Sequence, residues 1–176
     1  MKMTPKPNFT PRAQQAINEA KKVAKKYNNE FVDLEHLFYG MVKLSAGILS
    51  EILFLLNISQ FELKAKIEKS FNERTENLEF SSKIEEEPVY DENFHLILKV
   101  AASISEKLGH EYVGLEHILL GLLKFEGSTI PKFFESFEAS TDDIIAEVRE
   151  YLHLSKENKV PSKNKTQATA KPKVKD

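Results

Sequence analysis

The sequence predicts an all-α fold of eight helices, arranged as two tandem four-helix repeats related by a pseudo-two-fold. Three observations predict it. Shifting the chain by 81 residues lays Phe9–Phe71 on Tyr90–Leu152 without a gap, the signature of two copies of one unit. Apolar residues inside each copy recur at the three- and four-residue spacing of a helix. The alternation of β-branched and polar residues that marks strands is missing.

Each element follows in order. Thr10 and Pro11 supply an N-cap and a first-turn proline. Ala13, Ala16, Ile17, Ala20, Val23, Ala24 and Tyr27 then form one apolar stripe, and Asn28–Asn29 ends the helix, a part that Gly109 plays in the second copy. Leu34, Leu37, Phe38, Met41 and Val42 make the second helix; Ile48, Ile52, Leu53, Leu55 and Leu56 make the third. Ser59 and Glu62 form a capping box, flanked by Ile58 and Leu63 as a hydrophobic staple. It opens a fourth helix running through Ile67 to Phe71. Ser140, Asp143, Ala139 and Ile144 repeat this start in the second copy.

The chain has 176 residues, 41% hydrophobic and 30% charged, with no Cys and no Trp. That is enough for a domain to bury its own core without a metal or disulfide staple. Zero Cys excludes a disulfide scaffold, a thiolate zinc site and a Cys nucleophile. The net charge of -2 argues against a domain that binds nucleic acid or membrane through bulk electrostatics. No apolar run approaches the ~20 residues of a membrane span. Lys2 and Lys6 lead into polar sequence rather than an apolar signal region. The expected location is the cytoplasm, or an organelle stroma after removal of a transit peptide.

Five segments are expected: a flexible N-terminus (residues 1–8), a first repeat (9–71), an acidic linker (72–88), a second repeat (89–152) and a disordered basic tail (153–176). The tail carries seven lysines against Glu157 and Asp176, a net of +5, so residues 1–152 carry -7. It lacks the aromatic residues that base stacking needs, so it reads as a solvated tether rather than a nucleic-acid arm.

The one polar constellation that recurs is Leu-Glu-His, at Leu34–Glu35–His36 and Leu115–Glu116–His117. Glu35 and His36 make a poor acid–base pair, because adjacent helical residues diverge by about 100° and do not face each other. No histidine, carboxylate or cysteine lies nearby at metal-ligand spacing. Two readings stand. In the structural one, the glutamate complements a helix dipole and the histidine caps or packs. In the binding one, a carboxylate at a helix N-terminus accepts a guanidinium. Neither GxxxxGK[ST] nor GxGxxG occurs, so no phosphate loop is present. Gly40 and Gly121 are expected to permit close helix packing. Phe31, Phe38, Phe54, Tyr112, Phe133, Phe134 and Phe137 are expected in the core, and Phe61 at the surface.

The pattern F-T-x-R-A at Phe9–Ala13, LEHLFYG at Leu34–Gly40 and EHILLGLL at Glu116–Leu123 closely resembles the tandem-repeat domain at the N-terminus of Clp/Hsp100 AAA+ unfoldases. The stretch KLGHEYVGLEHILLGLLKFEG (Lys107–Gly127) is most similar to the ClpC branch. The resemblance covers residues 9–152 and implies a non-catalytic module, without cofactor or metal, that docks adaptor proteins and unfolded or tagged substrates. The implied partners also include a Clp ATPase ring and a ClpP-type peptidase, with the basic tail as the linker to the first ATPase domain. It further implies two sites for phosphorylated arginine, each with a glutamate on the guanidinium and a threonine on the phosphoryl group. By sequence match, Glu35 and Thr10 form one site. Glu116 belongs to the other, whose threonine position is Asp91. Leu34 and Leu115 stand where ClpC proteins usually carry Thr, which moves both motifs toward the ClpA and ClpB pattern. The alternative is a free-standing Clp-repeat accessory protein that braces or regulates a ClpP-type ring.

Overall fold

The computed structural model describes residues 7–45, 47–76 and 85–159. They form eight helices: α1 (Pro11–Lys26), α2 (Leu34–Leu44), α3 (Ile48–Leu55), α4 (Gln60–Glu76), α5 (Glu92–Lys107), α6 (Leu115–Lys124), α7 (Ile130–Glu135) and α8 (Thr141–Lys159). The all-α prediction and the count of four helices per repeat hold. Of the segments read as N-terminus, linker and tail, residues 1–6, 77–84 and 160–176 lie outside the described residues. Inside them the boundaries differ from the sequence reading, since residues 72–76 and 153–159 are helical. The last turn of α4 is tied down by Arg74, as described below. α8 is anchored by the buried Leu152 and continues through the good helix formers Lys and Glu.

Local signals in the sequence account for the helix ends. The Ala13 amide donates to Thr10 Oγ1 at 3.1 Å. At the far end of α1, Asn28 is left-handed (φ 56°), and the amides of Asn28 and Asn29 bond back to the carbonyls of Lys25 and Ala24. Gly109 (φ 71°) and His110 close α5 in the same way onto Glu106 and Ser105. Both ends are Schellman motifs, for which a Gly or Asn at the left-handed position is favoured. Ser59 and Ser140 accept from the amides of Glu62 and Asp143.

α2 and α6 are the central pair. Both are buried on nearly every side, with Leu37, Phe38 and Met41 on α2 and Ile118, Leu119 and Leu122 on α6 fully enclosed. A helix apolar all round belongs in the middle of a bundle. Solvent reaches them only at their ends, at Lys43 and Lys124 and at the polar N-terminal turns, so both Leu-Glu-His motifs sit at the rim of one continuous core.

Two short parallel contacts, too short to read from sequence, join the repeats. Strand β1 (Phe31–Val32) pairs with β2 (Val89–Tyr90), and Phe9 bridges to Val113. These are the same contact made twice. The Asp91 amide donates to the Val32 carbonyl at 3.0 Å, and the Thr10 amide donates to the Val113 carbonyl at 2.9 Å. Each repeat lays its leading segment on the residues that lead into the other repeat's central helix.

Some expected core residues are exposed. α3 is only eight residues long and buries Ile48, Leu49, Ile52 and Leu53. The chain then turns through left-handed Asn57. Phe54, Leu55 and Leu56 are left 85%, 65% and 37% exposed, contrary to the placement of Phe54 in the core. Phe31 and Tyr112, at equivalent positions, are also about half exposed, because β1 and its counterpart run along the surface. Phe38 and Phe134 are buried as expected, and Phe61 is 81% exposed.

The two motif glycines differ. A Cβ on Gly40 would lie 2.5 Å from the Ala16 carbonyl oxygen, whereas one on Gly121 would meet only Val100 Cγ1 at 3.5 Å. Ile97 replaces Ala16 in the second repeat and holds α5 further off. Gly40→Ala is therefore expected to destabilise the domain by about 1–3 kcal/mol. Gly121→Ala is expected to be neutral, or stabilising by up to about 1 kcal/mol through helix propensity. Urea unfolding of the two variants checks this.

Candidate functional site

The N-terminal turn of α2 is built around Asp33. Its carboxylate accepts from the amides of Glu35 and His36 at 3.0 and 3.2 Å. His36 closes the box in return, with Nδ1 accepting from the Asp33 amide at 2.9 Å. Nε2 therefore carries the proton and donates to Asn29 Oδ1 at 2.8 Å. The ring is fully buried and stacked on Phe71, centroids 4.7 Å apart. Of the two structural roles open to the histidine, this one does both, capping and packing. With both ring nitrogens engaged and no bond to Glu35, an acid–base pair of Glu35 and His36 is ruled out.

The α6 turn keeps half of this arrangement. The Gly114 amide donates to His117 Nδ1 at 2.9 Å, and His117 Nε2 donates to His110 Nδ1 at 2.8 Å. Gly114 has no side chain to cap the helix. The Glu116 carboxylate folds back into the space a Cβ would need, its oxygens 2.5 and 2.6 Å from that position.

Glu35 is fully engaged inside the chain. Arg74 spans the two α2 carboxylates, with Nη1 2.6 Å from Asp33 Oδ2 and Nη2 3.0 Å from Glu35 Oε1. Ser70 donates to Glu35 Oε1 and Thr129, from the second repeat, donates to Oε2, both at 2.7 Å. The guanidinium also lies over the Phe71 ring, 5.4 Å from its centroid. Charge-assisted bonds of this kind are the strong ones. Sequence reasoning missed Arg74 and Ser70 because it ended the fourth helix at Phe71. Continued by one turn, the four-residue spacing would have placed both on one face. Nothing in the sequence marks Thr129.

The crossed leading segments correct the pairing read from sequence. Thr10 does not lie with Glu35: its amide is bonded to Val113, at the approach to α6 and Glu116. Asp91 lies beside Glu35, lining a small pocket of about 160 Å³ with Asp33, Glu35, Asn93 and Thr129. Asp91 is also the N-cap of α5, accepting from the Phe94 amide at 2.7 Å. The α2 pocket thus holds three carboxylates and a cavity of about the size of one side chain. Burial pushes the Tyr151 phenol up, and the charges of Glu116 and Glu51 add to this while Arg12 opposes them. Among the described residues no cluster of three or more His, Asp or Glu has the arrangement of a metal site. No single described helix is long and apolar enough to cross a membrane.

Burial pushes the Asp33 carboxyl up, but His36 and the Arg74 charge outweigh it and hold it at about 2, against an ordinary 3.8. A depressed folded value means that stability is fully present above the ordinary value and is lost as pH falls through the folded one. The amount is on the order of 2 kcal/mol. Asp33→Asn is expected to flatten the fall in stability between about pH 5 and pH 2, measured by denaturant unfolding at stepped pH.

Comparison with known proteins agrees with this architecture. The profile of the Clp repeat (R) N-terminal domain matches residues 8–86 and again 89–175. Chaperone protein ClpB of Clostridium tetani is 30% identical over 138 residues, covering 78% of this chain and 16% of that protein. The ATP-binding subunit ClpC of the Clp protease from Staphylococcus aureus is 25% identical over 164 residues, 92% of this chain and 19% of that one. The chain thus spans less than a fifth of the curated relatives it matches. Among solved structures, the Hsp104 N-terminal domain from Candida albicans superposes with a TM-score of 0.68 at 20% identity, covering 82% of this chain and 91% of that one. The N-terminal domain of ClpD from Arabidopsis thaliana superposes with a TM-score of 0.58 at 19% identity, covering 83% and 95%. With both repeats matched, the chain belongs to the Clp repeat N-terminal domain family, the non-catalytic N-terminal domain of Clp-type ATPases.

Proposed function

We propose that this domain docks adaptor proteins and unfolded or tagged clients for a Clp-type ATP-dependent unfoldase working with a ClpP-type peptidase. The observation that carries the reading is the apolar surface at the end of α3. Phe54, Leu55 and Leu56 are exposed in succession. A groove of about 410 Å³ beside them runs between α3 and α8 over Ile52, Leu55, Leu56 and Ile144, with Asp143 and Glu147 at its edge. Large exposed apolar residues rimmed by polar ones mark interaction sites. Such a surface suits clients that display apolar side chains because they are unfolded.

A narrower form of the reading is recognition of phosphoarginine in the manner of the ClpC branch, and here the two repeats separate. Glu35 already holds Arg74, Ser70 and Thr129, and a phosphoryl group entering its pocket would meet Asp33 and Asp91, which repel it. Glu116 sits in the first turn of α6, and the segment carrying Thr10 and Arg12 lies against that helix's approach. Glu116 with Thr10 is therefore the site proposed for the mark.

Two measurements test these readings. Phe54→Ser and Phe61→Ser replace exposed side chains, so stability should change by less than about 0.5 kcal/mol. Retention of a carboxymethylated, permanently unfolded client should fall at least about fivefold; unchanged retention refutes the apolar docking surface. In calorimetric titration with free phosphoarginine, Glu116→Gln should weaken binding by roughly tenfold or more, the value of a charged hydrogen bond. Glu35→Gln should change it little. The reverse order, or no binding by the unaltered protein, refutes the narrower reading.

A further inference from the structure

A second groove lies between α5, α6 and α8, with a volume of about 600 Å³. Its floor is Ile104, Leu108, Leu120 and Leu152. The internal repeat shows what such a groove accepts. At the equivalent positions the first repeat has Val23, Tyr27, Tyr39 and Phe71. There the rings fill the space themselves: Phe71 packs on Tyr27 at 5.1 Å and on Tyr39 at 5.7 Å between centroids. In the second repeat three leucines replace three aromatic residues on the same scaffold, and a groove opens.

The charges change along with the rings. In the first repeat Lys43 is paired with Glu19 at 2.9 Å, and Tyr39 donates to Glu68 at 2.7 Å. The equivalents are Lys124 with Val100 in place of Glu19, and Arg149 in place of Glu68. Lys107 completes a cationic rim, opposed by Glu150 alone. Among the described residues Lys107, Lys124 and Arg149 make no ion pair. This is a positive edge on a folded region whose net charge is -7.

We propose that this groove binds an acidic segment of a partner protein that inserts an aromatic side chain. The proposal rests on the docking reading above and names a second surface and the chemistry of its partner. The inserted ring takes the volume that Tyr27, Tyr39 and Phe71 fill in the first repeat. The partner's carboxylates pair with Lys107, Lys124 and Arg149, and steer its approach. The chain's own lysine-rich tail is repelled by the same rim. The volume lies within the roughly 300–1,000 Å³ of ordinary ligand sites.

The test is a methyl-NMR titration of the full chain with a synthetic peptide carrying Tyr and Phe four residues apart among Glu and Asp. The expected result is a dissociation constant below about 1 mM, with shifts at the methyls of Ile104, Leu108, Leu120 and Leu152. Binding should weaken at least about tenfold in the exposed double variant Lys124→Glu/Arg149→Glu. It should vanish when Leu108→Tyr, Leu120→Tyr and Leu152→Phe rebuild the first repeat's rings. If that triple variant fails to fold, the charge variant alone decides. Shifts elsewhere, indifference to charge reversal, or equal binding of a peptide with Lys for Glu and Asp overturn the proposal. So do groove shifts that follow protein concentration alone, which would mean a second copy is the occupant. Retention of the carboxymethylated client separates the two readings: if it persists while the acidic peptide fails, docking stands and this groove falls.

Discussion

The exchange of leading segments between the repeats is the constraint on which the rest of the structure depends. Asp91 is bonded to Val32 and Thr10 to Val113 through the same backbone contact, so neither repeat is complete without the other. The pairing is brief, but it fixes where α1 and α5 begin, and therefore which face each presents to the central helices. It also makes the pocket at the start of α2 a composite of Asp33 and Glu35 with Asp91, Asn93 and Thr129. The floor comes from one repeat and the wall from the other. Thr129 reaching across to Glu35 is a further link of the same kind.

The second consequence is the location of polar chemistry. Because α2 and α6 are enclosed along their length, their side chains are apolar or hydrogen-bonded within the chain, as His36 and His117 are. The first turn meets solvent at the positive end of the helix dipole. A carboxylate there is favoured in any protein. What it does next depends on the cation supplied. At α2 the chain supplies its own, Arg74. At α6 the carboxylate rests over Gly114, where a larger residue would collide with it.

The fold was legible in the sequence because duplication doubles a weak signal. The helical stripes, the caps at Thr10, Ser59 and Ser140, and the turns at Asn28 and Gly109 all appear where local chemistry demands them. The strands were not legible, since two residues carry no periodicity. Phe54 was misplaced because hydrophobicity alone does not tell a buried position from an exposed one. The glutamates Glu35 and Glu116 were visible as a repeated motif and Thr10 as a helix cap, but which leading segment lies beside each glutamate was not. Pairing is set by which repeat each leading segment reaches, a tertiary fact. Arg74 lay one turn beyond the assigned end of its helix, so the ion pair that closes the α2 pocket stayed hidden.

At three places the first repeat is closed where the second is open, although the apolar end of α3 is exposed in the first. In the first, Gly40 lets the α1 backbone at Ala16 come directly against the α2 backbone, three aromatic rings fill the outer groove, and Arg74 neutralises the motif carboxylates. Each of these is an internal satisfaction, and each closes a surface. In the second, Ile97 holds α5 off Gly121, leucines leave the groove open, and Arg149 stands where its counterpart was acidic. Closed packing favours stability and unfilled, unpaired surface favours binding, and the two compete at any one place. A duplicated unit escapes that competition by dividing the roles. Crossed leading segments tie the two repeats together, so the closed packing of the first supports the open groove of the second.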